Sequence, residues 1–179
     1  FDESVLNFPD YLVCDLDPNV EDKPLERVRE VAMRLKRIFD EQSLQSFVKT
    51  SGKRGLHVYV PLSRKHGYDH VRLFAEEIGR RLMEEMPEDV TMELSLDKRP
   101  KKVFFDYSIN SQAKTLACAL SPRGDPRGTV SFPLSWDALD KAQPKDFTIA
   151  NAPRILAERG DPWEGLLQHC QELPRAYIG

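Results

Sequence analysis

The stretch Tyr11-Leu12-Val13-Cys14-Asp15-Leu16-Asp17-Pro18 decides how the rest of the chain reads. Four apolar residues run into two acids spaced i, i+2, and a proline closes the run. Strand alternation puts Asp15 and Asp17 on the same face of a sheet, and the apolar start anchors the strand in a core. Two neighbouring carboxylates repel each other, so a half-buried pair calls for a cation. A hard, oxygen-liganded divalent ion such as Mg²⁺ or Mn²⁺ is the natural occupant. Taken alone, D-x-D before a proline reads more often as a solvated strand end and turn. The surrounding chain has to choose between the two.

Downstream, Pro24 suits the first turn of a helix. Leu25, Val28, Val31, Leu35, Ile38 and Phe39 then fall on one helical face, ending near Glu41. Residues 45–50 read as a second strand, opening through Ser51-Gly52-Lys53-Arg54-Gly55-Leu56-His57 into a third over 58–62. That short, basic, glycine-containing connection makes a hairpin-like unit. A second helix is expected from Asp69 to Met86, with Val71, Phe74, Ile78 and Leu82 on its apolar face. Residues 90–94 form a weaker strand. Residues 103–107 repeat the opening pattern, an apolar run ending on Asp106. Thr115 to Leu120 reads as another strand, followed by a loop rich in Pro, Gly and Arg over 121–128. Short helical pieces are expected at 135–141, 151–159 and 163–171. Strands and helices mix without strict β-α-β alternation, which favours an α+β fold with a mixed, largely antiparallel sheet and flanking helices.

The 179 residues make one domain of ordinary size, with 40% hydrophobic residues for a core and 31% charged residues for a soluble surface. Net charge is only −3, but it is unevenly spread. Residues 44–65 carry five Lys or Arg and no acid, and residues 97–127 carry seven against three acids. Two basic segments on an acidic body point to a local anion site. Cys14, Cys118 and Cys170 are odd in number and scattered, which argues against a disulfide framework and a zinc knuckle and fits a reducing compartment. His66 and His70 lie i, i+4 apart without further ligands at zinc spacing and are expected at the surface. No apolar run reaches transmembrane length, so no membrane partner is expected, and the start carries no signal-peptide pattern.

Asp15 and Asp17 on one strand and Asp106 on another could share one or two metal ions. Such a centre stabilises both the attacking and the leaving oxygen of an in-line phosphoryl displacement. A triphosphate beside it needs donors. Ser51, Lys53, Arg54, His57 and the Gly52 and Gly55 backbone offer a compact set, while Arg99, Arg123 and Arg127 could close over the phosphates.

The ordered blocks D-L-D-P, T-S-G-K-R-G-L-H-V-Y-V-P-L, R-P-K-K-V-F-F-D-Y-S-I-N, S-P-R-G and V-S-F-P-L-S-W-D-A-L resemble the primase-polymerase domain of bacterial and archaeal end joining. In bacteria that domain is commonly fused to an ATP-dependent DNA ligase, in the ligase D family of the archaeo-eukaryotic primase superfamily. The resemblance spans essentially residues 9–140. It implies a primase-like catalytic core with an RRM-like palm. The implied activity is template-directed nucleotidyl transfer that fills gaps at DNA ends and favours ribonucleotides. Asp15 and Asp17 would be paired ligands of a two-metal Mg²⁺ or Mn²⁺ site, and Asp106 the third catalytic carboxylate. Ser51, Gly52, Lys53, Arg54, Gly55, His57, Arg99 and Arg123 would bind the nucleotide. Implied partners are DNA ends with a 5′-phosphate, NTP or dNTP, a Ku-like protein, and a ligase domain in cis or trans. The implied location is cytoplasmic, at the nucleoid.

Three departures from the family pattern stand out. Arg54 occupies a position where the family often has Lys. Asp125 stands where a second basic residue often follows Arg123, leaving Arg127 as a substitute. The family also carries a substantial part upstream of the D-L-D-P strand, so a single domain over 1–179 without that upstream portion is expected, either because the numbering starts inside the domain or because this is a reduced variant. Two rival readings remain: a non-catalytic nucleotide- or DNA-end-docking module, and a haloacid-dehalogenase-type phosphatase with Asp15 as nucleophile. The phosphatase reading leaves the S-G-K-R-G-L-H block without a task.

Overall fold

The computed structural model describes residues 6–174. Six strands form one sheet in the order β4-β5-β1-β3-β2-β6. Their spans are β1 Tyr11–Pro18, β2 Phe47–Thr50, β3 Leu56–Pro61, β4 Val90–Thr91, β5 Val103–Asp106 and β6 Pro133–Leu134. Every pairing between these strands is antiparallel except β4 with β5. The expected α+β class and largely antiparallel sheet are what the chain adopts.

Helices α1 (Pro24–Glu41) and α2 (Tyr68–Glu85) cover one face of this sheet. Proline enters α1 in its first turn. The stripe Val28, Val31, Ala32, Leu35, Ile38 and Phe39 is buried, and α2 buries Val71, Phe74, Ala75, Ile78, Gly79 and Leu82. These side chains meet Leu12, Cys14, Leu16, Val58, Val60 and Phe105 in one core. Each fully buried aliphatic or aromatic side chain contributes about 1.5–3 kcal/mol, so the helix-covered face carries most of the fold's stability. Arg34 and Arg81 bridge the helices through Glu85 and Glu41, on surfaces where ion pairs are individually weak.

Several sequence expectations need correction. Residues 115–120 form no strand. The edge of β2 that they might have joined is taken by Pro133–Leu134, while Leu116 packs on an aromatic cluster instead. The β6 strand went unforeseen because a proline opens it, which only an edge strand tolerates. Residues 90–94 contribute just Val90–Thr91 to the sheet. The helices expected at 135–141 and 163–171 shrink to the single 3₁₀ turns Trp136–Ala138 and Leu166–Gln168, whereas α3 spans Ala152–Arg159. His66 is buried rather than exposed, its Nε2 accepting the Leu173 N–H at 3.1 Å.

Opposite the helices, the second sheet face is accessible at Asp17 and partly at Asp15 and Asp106, while Arg99 lies over Phe104. Over β2 and β3 it is roofed by Trp163 and Leu166, which pack on Phe47 and Tyr59. The Trp163 Nε1–H donates to the Val48 carbonyl at 3.0 Å. Beside this roof lies a cleft of about 680 Å³ whose walls include Tyr11, Val13, Tyr59, Leu116 and Trp163.

Candidate active site

Cross-strand register assembles the site. Asp15 on β1 lies directly opposite Asp106 on β5 on one side and His57 on β3 on the other. His57 in turn lies opposite Lys49 on β2. Directly opposed residues share a face, so Asp106, Asp15, His57 and Lys49 form one row across four strands. Asp17 stands two residues along β1, opposite Phe104. The two-residue spacing of the acids keeps them together on the open face while Leu16 points to the helices.

Asp15 carries most of the electrostatic tension. Burial and the neighbouring carboxylates of Asp17 and Asp106 push its pKa up to about 7, against partial relief from Lys49 and Arg123. Asp17 is raised by burial and by Asp106, with Arg54, Arg99 and Lys53 pulling the other way. The Asp15 Oδ1 atom is buried and accepts no hydrogen bond. Asp106 differs, because its Oδ1 accepts from the Ser108 N–H at 2.8 Å and hydroxyl at 2.6 Å. Burial, Lys49 and Arg123 press His57 down to about 2, so the imidazole is neutral. Its Nε2 stands 3.4 Å from Asp15 Oδ1, a close approach and not an ion pair.

The 51–55 loop is wound on Ser51, whose hydroxyl accepts from the Gly55 N–H at 3.0 Å and the Lys53 N–H at 3.2 Å. Those two amides therefore hold the loop's shape. Gly55 presses against β1, where an added Cβ would meet the Asp17 carboxylate at 2.8 Å. Gly52 takes φ +72° and sits under Arg123, with the Ser131 amide 2.9 Å from where a Cβ would stand. Lys53 and Arg54 are exposed at the loop's tip.

Two arginines reach the acids from other segments. Arg99 lies over the Phe104 ring at 3.5 Å and donates to the Glu93 and Leu94 carbonyls, which fixes it beside Asp17. Arg123 has its Nε buried without a hydrogen-bond partner. Arg127 does not join the site: its guanidinium grips Asp125 through both carboxylate oxygens. Arg64 and Lys65 likewise belong elsewhere, paired with Asp10 and Glu172. Of the two basic segments, Lys49, Lys53, Arg54, Arg99 and Arg123 are the residues that act on the acids.

Three residues of the site were not singled out from sequence. Lys49 is fully buried in the row, and Ser131 meets it from the segment before β6. Asn110 caps β1 past the end of β5, exchanging hydrogen bonds with the Val13 N–H at 2.8 Å and carbonyl at 2.7 Å. The signal for Lys49 was its position two residues after Phe47, which alternation places on the open face.

Among the described residues, no three acidic, histidine or cysteine side chains are already gathered closely enough to hold an ion. The donor chemistry nonetheless fits a divalent cation. The acids supply oxygen only, Asp15 and Asp17 have raised proton affinity beside neighbouring carboxylates, and Asp15 Oδ1 is an orphaned buried acceptor.

Residues 3–163 match the family model of the LigD primase-polymerase domain. The chain belongs to that family. It is 36% identical to the multifunctional non-homologous end joining protein LigD of Pseudomonas aeruginosa, over 97% of this chain and 21% of that protein. The bifunctional non-homologous end joining protein LigD of Bacillus subtilis is 33% identical over 95% of this chain and 28% of its own length. The polymerase domain of Mycobacterium tuberculosis ligase D, solved in complex with DNA, superposes with a TM-score of 0.82 at 32% identity. That match covers 92% of this chain and 57% of the other. The chain thus spans about a quarter of the curated relatives it matches. Membership leaves the dehalogenase-type reading without support. Among the described residues no helix is long and apolar enough to cross a membrane.

Proposed function

We propose that this chain is a template-directed nucleotidyltransferase that fills gaps at 5′-phosphorylated DNA ends during end joining, with ribonucleotides preferred. The observation that carries the reading is the pair of buried, unpartnered polar atoms of opposite charge at one site, Asp15 Oδ1 and Arg123 Nε. Such atoms are costly unless a ligand completes them. A cation beside Asp15 and an anion beside Arg123 together describe a metal-bound polyphosphate.

Asp15, Asp17 and Asp106 would hold Mg²⁺ or Mn²⁺. When bound, such ions activate a primer 3′-hydroxyl and neutralise charge on the α-phosphate and the departing pyrophosphate. The 51–55 loop, shaped by Ser51, Gly52 and Gly55, would receive the triphosphate together with the side chains of Lys53, Arg54, His57, Arg99 and Arg123. Arg54 and Arg99, flanking Asp17, supply forked donors to the phosphate oxygens. His57, neutral, offers a hydrogen bond without adding charge. A Ku-like recruiter, a ligase domain in cis or trans, and a cytoplasmic, nucleoid-associated location belong to this proposal, and the end-joining role in the relatives' names supports it.

The test is extension of a primer on a gapped, 5′-phosphorylated duplex with Mn²⁺, comparing wild type with Asp15→Ala/Asp17→Ala. Wild type extends, and the double variant loses on the order of 10³-fold or more. Nucleotide binding without extension by wild type would replace the polymerase reading with the docking module.

A further inference from the structure

Lys49 is one of the largest fully buried side chains of the described residues, and it is ionisable. Its Nζ lies 2.7 Å from His57 Nδ1 and 2.5 Å from Ser131 Oγ, with the Tyr59 ring centroid 5.7 Å away. The Ser131 hydroxyl spends its own hydrogen on the Thr50 carbonyl at 2.8 Å, so toward Lys49 it can only accept. A charged lysine has three donors and no acceptor. All three neighbours, a ring nitrogen, a hydroxyl oxygen and an aromatic face, are electron-rich. Burial pulls the Lys49 pKa down to about 7, and the carboxylate that works against this, Asp15, lies on the far side of His57 in the same row.

Burying an ammonium among neutral groups is a poor way to stabilise a sheet, since an apolar side chain of similar length would pack there without desolvating a charge. The arrangement has a consequence for His57. If Lys49 donates to Nδ1, that nitrogen carries no hydrogen, and the ring proton resides on Nε2. Nε2 faces the acids, and Asp15 Oδ1 accepts no hydrogen bond from it, so this N–H remains available. The opposite tautomer would turn a lone pair toward the site and repel an anionic oxygen.

We propose that Lys49 is a positioning residue of the nucleotidyl-transfer site: with Ser131 behind it, Lys49 locks His57 in the Nε2–H tautomer, aimed at an anionic oxygen of the triphosphate. This deepens the polymerase reading and rests on it for the identity of the oxygen. The tautomer itself does not depend on that reading.

The experiment has two arms. The first is a long-range ¹H–¹⁵N correlation spectrum of the ¹⁵N-histidine-labelled chain at pH 6 in chelator, with His57 assigned by its loss in His57→Ala. Wild type gives the Nε2–H pattern for His57, and Lys49→Met gives a mixed or Nδ1–H pattern. A wild-type ring protonated on Nδ1 overturns the proposal, whether or not any variant folds. The second arm is steady-state primer extension by wild type, Lys49→Met, His57→Ala and the double variant. Lys49→Met raises the nucleotide KM on the order of tenfold with a smaller change in kcat, and the double variant is no worse than His57→Ala. Independent, multiplying losses mean that Lys49 does not act through His57 and overturn the proposal. Should Lys49→Met fail to fold, Lys49→Gln keeps a neutral donor at the site and restores part of both readouts. Absence of extension by wild type would sink the polymerase reading alone, leaving the spectrum to judge the tautomer.

Discussion

On one side of β1, Leu12, Cys14 and Leu16 lie under α1 and α2 with no exposed surface. On the other side of the same eight residues, Asp15 and Asp17 crowd a third carboxylate, and a neutral histidine separates them from a buried lysine. The helix side satisfies every rule of a stable core. The open side breaks two of them, by burying like charges together and by leaving Asp15 Oδ1 and Arg123 Nε without partners. Local frustration of this kind, set on a rigid and well-packed backing, is what a site for a charged ligand requires.

The contrast predicts which substitutions act on stability and which on chemistry. The largest loss of stability belongs to the helix side. Leu35→Ala removes a fully buried side chain and costs about 2–5 kcal/mol in denaturant unfolding, with the nucleotide KM of the folded protein unchanged. A KM shift comparable to that of a site variant would break the division between the faces.

On the open side the sign reverses. The Asp15 carboxyl titrates at about 7 in the folded chain against 3.8 unfolded, so between those values the folded state holds the extra proton. Stability therefore falls as pH rises through that window, and the whole penalty is present above about pH 7. Asp15→Asn carries no such penalty. In chelator at pH 8 it is more stable than wild type by on the order of 2–4 kcal/mol, a gap that closes toward pH 4. Equal melting temperatures for the two proteins at pH 8 would show that the acids are not frustrated. A site relieved by metal gives a related result. Saturating Mn²⁺ at about 100 times its Kd raises wild-type stability by about 2.7 kcal/mol, and Asp15→Asn/Asp17→Asn gains none of it.

The smallest effect sharpens the boundary of the site. Arg127 sits in a basic loop beside Arg123 but is engaged with Asp125. Arg127→Gln leaves the nucleotide KM and the melting temperature at wild-type values in the same assays, while Arg123→Gln raises KM clearly.

Much of the site could be read along the chain. The i, i+2 acids of β1, the acid closing β5 and the Ser51–His57 block each announce themselves through local pattern, and the helical stripes of α1 and α2 do so through their period. The misreadings share a cause. Residues 115–120 look like a strand by composition, yet whether an apolar run pairs depends on which sheet edges are free. The two residues of β6 are too few to carry a period at all.

The sequence by itself determined which residues carry charge, which segments alternate and where glycines mark the short 51–55 connection between two strands. Only the tertiary structure decided that Asp106, Asp15, His57 and Lys49 stand in one row. It also decided that Arg123 and not Arg127 comes to them. Strand alternation is a property of neighbours along the chain, but register couples segments up to 91 residues apart, as Asp15 and Asp106 are. A slip of one residue in that register would turn the same acids into the core.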